Sequence, residues 1–207
     1  MATPGQIVIL NGAPRSGKSS IVAAIQQSFP GVWMNLGVDV FNRCIMPARY
    51  RPGIGLRPGG ERPEDVALVS VLYAALYDCV AALSRQGLNV AVDVGHHEAY
   101  SRPLDVLSDA ASRLRGLPVL FVGVRCPIDV IMARRDAVEQ SPDQAYATSG
   151  PQGEVPAAVL LWDEEVHRGK SYDLEVDTSR LSPSRAAAAI WHGLERGTDA
   201  TSSFERD

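Results

Sequence analysis

Five short apolar runs punctuate the chain, at residues 7–10, 32–36, 89–94, 118–124 and 172–176, and longer stretches of helical periodicity separate them. Apolar runs of this length, bounded by turn residues, predict strands, the second being the weakest. The clearest helix is 63–85, where Leu68, Leu72, Ala75, Leu76, Cys79 and Leu83 recur near i, i+4 and i+7 on one face before Gly87. Another opens at Lys18 and closes at Pro30-Gly31, and further helices are predicted over 103–114, 129–137, 156–167 and 182–194. In the last of these, Ser182-Pro183 places a cap residue ahead of a first-turn proline. Strands that alternate with helices need crossover connections. The pattern therefore predicts an α/β protein in three layers, a five-stranded, mostly parallel sheet with helices on both faces.

Two stretches lack either period. Residues 49–62 are dense in Pro, Gly and Arg, and 137–155 contains Ser141-Pro142, Gly150-Pro151 and Gly153. Both are expected to be mobile segments, the first a substrate loop or lid and the second a cover over bound phosphates. Residues 1–196 are expected to form a single domain, and the polar tail 197–207 to be frayed.

The bulk numbers narrow the partners. At 207 residues with 45% hydrophobic content, the chain can bury one substantial core, and a net charge of -4 gives no reason to expect nucleic acid or an anionic membrane. Cys44, Cys79 and Cys126 are odd in number and far apart, which argues against a disulfide framework and a zinc site. Cys44 and Cys79 are expected in or near the core as small hydrophobes. The start of the chain shows no export leader, and no uninterrupted apolar stretch reads as long enough to cross a bilayer, so a soluble cytoplasmic protein is expected.

The strongest chemical signal follows the first strand. Gly12-Ala13-Pro14-Arg15-Ser16-Gly17-Lys18-Ser19 fits G-x-x-x-x-G-K-[ST], the phosphate loop in which glycines let successive backbone N–H groups point at phosphate oxygens. Ser20 and the helix that starts at Lys18 would add a positive helix terminus. Lys18 and Lys170 are the only lysines among 20 basic residues, so a lysine here is a specific demand for a point charge that reaches the outer phosphates. Nucleoside triphosphate binding follows. GTPase base-reading and switch motifs are missing where they would have to stand, and Lys170-Ser171-Tyr172-Asp173 does not supply one. What remains is a compact kinase acting on a small acceptor.

Phosphoryl transfer asks a protein for positioning and charge, so the other parts can be sought by role. Ser19 is the expected Mg²⁺ ligand. Asp39, just past the second strand, lies where a carboxylate would meet the acceptor hydroxyl, although it could instead be only the cap of the helix that follows. Asp93, at the carboxyl end of the third strand, suits a Mg²⁺ contact or a second acceptor contact. Arg134 and Arg135 would bring positive charge to the transferring group, or remain solvated. His96 and His97 lack further ligands at metal spacing, which makes acceptor contacts the better reading than zinc. His167 reads as a helix-end cation favoured by the dipole.

Taken together, Ile9-Leu10-Asn11-Gly12 with its phosphate loop, Gly37-Val38-Asp39, Val122-Gly123-Val124-Arg125-Cys126 and Tyr172-Asp173-Leu174-Glu175-Val176-Asp177-Thr178-Ser179 resemble the chloramphenicol phosphotransferase family. The resemblance implies a P-loop kinase fold with an adenylate-kinase-like core, ATP as donor, and a small-molecule hydroxyl as acceptor, such as that of an antibiotic or another secondary metabolite. It gives Asp39 the role of base, places Asp177 and Thr178 where the adenine ring is held, puts Arg134 or Arg135 in a lid and sets Arg125 on the nucleotide side. The arginines at 49, 51, 57 and 62 and the turn 93–97 look unlike a site for neutral chloramphenicol, and would suit an acceptor bearing carboxylate, phosphate or many hydroxyls. A nucleoside or nucleotide kinase of the same core is the alternative, and a nucleotide-binding regulator without catalysis a third.

Overall fold

The strands are β1 (Ile7–Asn11), β2 (Trp33–Asn35), β3 (Asn89–Val94), β4 (Val119–Arg125) and β5 (Leu174–Asp177), and they form one sheet in the order β2-β3-β1-β4-β5. Every pair is parallel. This computed structural model describes residues 3–47, 66–100, 103–137 and 148–197, together with Phe204. The expected loop at 49–62 and residues 138–147 of the expected cover lie outside the described residues.

Central strands of a parallel sheet are covered on both faces, which is why β1 reads as an unbroken apolar run rather than an alternating one. On one face Ile7, Ile9, Val92 and Phe121 pack under α3 (Val66–Arg85) and α4 (Val106–Leu114). On the other, Val8, Leu10, Val122 and Val124 pack under α1 (Lys18–Ser28) and α7 (Pro183–Glu195). A smaller cluster of Ala13, Cys126, Ile131, Met132 and Val159 joins the phosphate loop to α5 (Ile128–Asp136) and α6 (Ala157–Glu165). The remaining helix, α2 (Val38–Ile45), buries only Phe41. Register sets the functional edge: Leu10 stands level with Asp93 and Val122, and Asn11 with Val94 and Gly123. All five strands therefore deliver their carboxyl ends to one rim, where ligands of open α/β sheets bind.

Several expectations are corrected here. The buried side of α3 is Val69, Tyr73, Leu76, Tyr77, Val80 and Ala81, whereas Cys79 is exposed and Leu68, Leu72, Ala75 and Leu83 are only half-buried. The helix is apolar around most of its circumference, and its true centre is marked by two tyrosines that a hydrophobic pattern undercounts. Cys44 is also exposed, because α2 is too lightly packed to bury it. Residues 67–85 of α3, with a mean hydropathy of 1.8, are long and apolar enough to cross a membrane by length and composition alone, although Asp78 interrupts the apolar run. Here their buried side belongs to the core. Within the stretch expected to be frayed, Phe204 is fully buried, its ring 5.1 Å from that of Phe121 and 6.3 Å from that of Tyr77.

Candidate active site

The phosphate loop springs from β1 and turns under close constraint. A side chain at Gly12 would put its Cβ 2.5 Å from the Val124 carbonyl oxygen and 2.9 Å from Ser16 Oγ. Gly17 adopts φ 98 and Arg15 φ 71, the second an uncommon left-handed conformation for a residue with a side chain. Such strain persists only where surroundings enforce it. Ala13 is buried in the small cluster, Pro14 is half-buried, and Ser20 is exposed on the first turn of α1. Lys18 Nζ donates to the carbonyls of Gly12 (2.7 Å) and Ala13 (2.9 Å), folding the ammonium over the loop. Burial lowers its pKa while the charges of Asp93 and Asp39 raise it, so both carboxylates share the field of the one lysine at the loop. Ser16 Oγ is buried with no hydrogen-bond partner. A loop with glycines at its tight points, a lysine above it and an orphaned hydroxyl within it fits a phosphate chain.

The turn after β5 is bolted to this loop. Thr178 donates its hydroxyl to the Ser16 carbonyl (2.6 Å) and its N–H to the Arg125 carbonyl (3.0 Å). Arg134 Nη1 donates to the Arg15 carbonyl and to Thr178 Oγ1, each at 3.1 Å, and Nη2 donates to the Thr178 carbonyl at 2.9 Å. Arg134 is thus a strut between loop and turn, its donors spent on the protein. Arg135, one position round α5, is buried. Asp177 Oδ1 accepts from the N–H (2.9 Å) and hydroxyl (2.6 Å) of Ser179, which holds its carboxyl below the usual carboxylate range and fixes the turn. The Arg125 side chain is engaged away from the loop. Its Nε lies 2.8 Å from Glu175 Oε2, and its guanidinium stands 5.7 Å from the Tyr172 ring centre.

On the other flank Ser19 Oγ donates to Asp93 Oδ2 at 2.7 Å. No group of three or more His, Cys, Asp or Glu side chains suited to a metal occurs among the described residues. Mg²⁺ does not need one: it is held by one or two oxygen side chains plus substrate phosphates and water, and the Ser19–Asp93 pair is a donor set of that kind. Asp39 is the second residue of α2, exposed, and Gly37 rather than Asp39 is the N-cap. The capping alternative for Asp39 therefore falls.

The histidine pair is turned inward. His96 and His97 are only 2% and 1% exposed, so neither presents the open surface expected of an acceptor contact. The His96 ring lies 4.9 Å from that of Tyr73 and 5.7 Å from that of Tyr77, and its Nε2 hydrogen-bonds the Tyr77 hydroxyl at 2.5 Å. Burial, followed by the charges of Lys170 and His97, pushes its pKa down to about 3, which makes it a neutral core residue. His97 stacks on Tyr100 with ring centres 4.3 Å apart. His167 is likewise not a helix-end cation: burial, then Arg125, lowers its pKa to about 4. Desolvation outweighs the dipole.

Asn11 ties these parts together. Its Oδ1 accepts the His96 N–H at 2.7 Å, and its Nδ2 donates to the Val166 carbonyl and the Tyr172 hydroxyl, both at 2.9 Å. The Tyr172 hydroxyl in turn meets His167 Nδ1 at 2.7 Å, and its ring fills the space over Gly123, where a Cβ would lie 2.6 Å from Tyr172 Cδ2. The sequence offered one signal for this network, an amide at the end of an otherwise apolar strand. Trp162, whose indole packs on Gly95, gave none beyond helical periodicity.

Residues 5–195 match the family described as chloramphenicol phosphotransferase-like protein. The chain belongs to that family. A Mycobacterium tuberculosis protein, present in two strains under the name "Putative O-phosphotransferase", is 24% identical over 98% of this chain and 87% of its own. Among solved structures, the Mycobacterium tuberculosis APS kinase in complex with AMPPNP and APS is similar with a TM-score of 0.64 and 18% identity, covering 94% of this chain and 99% of that one. The Deinococcus radiodurans tunicamycin resistance protein is similar with a TM-score of 0.59 and 17% identity, covering 91% and 94%. This chloramphenicol phosphotransferase-like chain therefore has the P-loop kinase fold and is a phosphotransferase by family.

Proposed function

We propose that the protein transfers the γ-phosphoryl group of ATP to a hydroxyl of a small molecule, an antibiotic or another secondary metabolite. The observation that carries this reading is the convergence on one rim of the phosphate loop with Lys18, the Ser19–Asp93 pair, and Asp39, whose charge acts on Lys18. Lys18 releases the Gly12 and Ala13 carbonyls and pairs with the outer phosphates. The loop N–H groups and the start of α1 hold the phosphate chain. The Thr178 turn, braced by Arg134, borders the adenine. Ser19 and Asp93 would hold Mg²⁺, which would supply charge neutralisation of the phosphates. Asp39 accepts the proton of the acceptor hydroxyl and orients its oxygen toward the terminal phosphorus.

The structural resemblance to an APS kinase with bound AMPPNP supports an ATP-type donor, and the name of the mycobacterial relative supports an oxygen acceptor. ADP formation measured across hydroxylated antibiotics, sugars and nucleoside monophosphates tests the reading. Turnover is expected with one or more alcohols and not with the monophosphates; activity confined to nucleoside monophosphates would replace it with a nucleotide kinase.

A further inference from the structure

Gly37 carries an unusual constraint. A Cβ on it would stand 1.5 Å from Asp93 Oδ1, 2.7 Å from its Cγ and 2.9 Å from its backbone carbonyl oxygen. Its φ of -83 is ordinary, so the glycine is not there for backbone freedom. The cause is register. Trp33 pairs with Asn89 and Asn35 with Ala91, and Leu36 N–H donates to the Ala91 carbonyl at 3.0 Å, so the next step along both chains brings Gly37 beside Asp93. Gly37 is also the N-cap of α2, which has no side-chain cap and buries a single residue, Phe41. A helix held so lightly takes its orientation from its first turn, and a carboxylate beside that turn favours its exposed N–H groups. The other oxygen of the same carboxylate, Oδ2, takes the Ser19 hydroxyl.

We infer that Asp93 is a positioning residue joining the two halves of the site: one oxygen answers to the phosphate loop through Ser19, and the other seats the start of α2, which carries Asp39. Gly37 is the gap that lets it do so. The inference rests on the proposed roles of Ser19 and Asp39, and it makes loading of the metal side and aim of the acceptor side a single adjustment, since a shift of the carboxylate toward the phosphates alters its seat against α2.

The test is hydrogen–deuterium exchange on the full chain, with and without Mg²⁺ and a non-hydrolysable ATP analogue, for wild type, Gly37→Ala and the near-isosteric Asp93→Asn. In the nucleotide-free chain, both variants should exchange the amides of residues 38–41 about tenfold faster, with β1 and α7 unchanged. Gly37→Ala should also raise the Mg²⁺ concentration at half-maximal analogue binding by about fivefold, a readout that a merely structural glycine would not move. Unchanged exchange in α2 in both variants, or an unchanged Mg²⁺ midpoint for a folded Gly37→Ala protein, would overturn the coupling. If the wild type fails to bind the analogue, the proposed function falls, while the nucleotide-free exchange still decides whether the brace exists.

Discussion

Asp39 and Lys18 divide the labour of the proposed transfer, and single substitutions separate them. Asp39→Asn should lower kcat by about 10²–10⁴-fold, the usual worth of a general base, while leaving affinity for an ATP analogue nearly intact, as ADP release and calorimetry would show. Unchanged turnover would remove Asp39 from its role. Lys18→Ala should lose the analogue itself. Asn11 belongs to the same rim without touching the chemistry. Asn11→Leu would orphan the His96 N–H and leave the Val166 carbonyl with only the long Tyr172 hydroxyl contact at 3.4 Å, and is expected to cost about 3 kcal/mol in urea denaturation. The phosphate-loop pattern could be read from its spacing, and Asp93 from its place at the carboxyl end of a strand, where the structure sets it beside Ser19. Arg125, Arg134 and the histidine pair were not legible in this way, because spacing reveals which residue types meet at a rim but not which of them are already satisfied by the protein. Arg134, for instance, spends its donors on Arg15, Thr178 and Cys126.

Among the elements, strand and helix positions follow the sequence period closely, and the predicted Ser182 cap of α7 accepts from the Arg185 N–H at 3.3 Å. The burial of His96 and His97 in the connection after β3, and the desolvation of His167 in the connection after α6, were not legible, since both stretches are polar in sequence. Those two connections give the protein a pH dependence of stability. His96 and His167 titrate at about 3 and about 4 when folded, against about 6.5 for an unhindered histidine. Between those values the unfolded chain binds more protons, so stability is full above about pH 6.5 and falls as the pH drops toward 4. Thermal melts from pH 7.5 to 4.5 should show Tm declining through that interval, and His167→Gln should flatten part of the slope. A Tm that is level down to pH 5 would mean that the histidines are not buried as described.

For the molecule as a whole, the parallel sheet and its three layers were foreseeable from alternating strands and helices, whereas the strand order and the burial of Phe204 were not. A lone aromatic in a polar terminus carries no period. Phe204 nevertheless closes the core beside Phe121 and Tyr77, and through Tyr77 it backs the His96 turn. Phe204→Ala should therefore cost about 3–5 kcal/mol, read from denaturant midpoints, with activity at low temperature largely kept. All of the proposed chemistry depends on the loop after β1 gripping a triphosphate. Isothermal titration of the folded protein with Mg²⁺ and a non-hydrolysable ATP analogue tests this most directly. One-site association that disappears in Lys18→Ala is the predicted result; no heat of binding for well-folded wild-type protein, or equal binding by the variant, would contradict it.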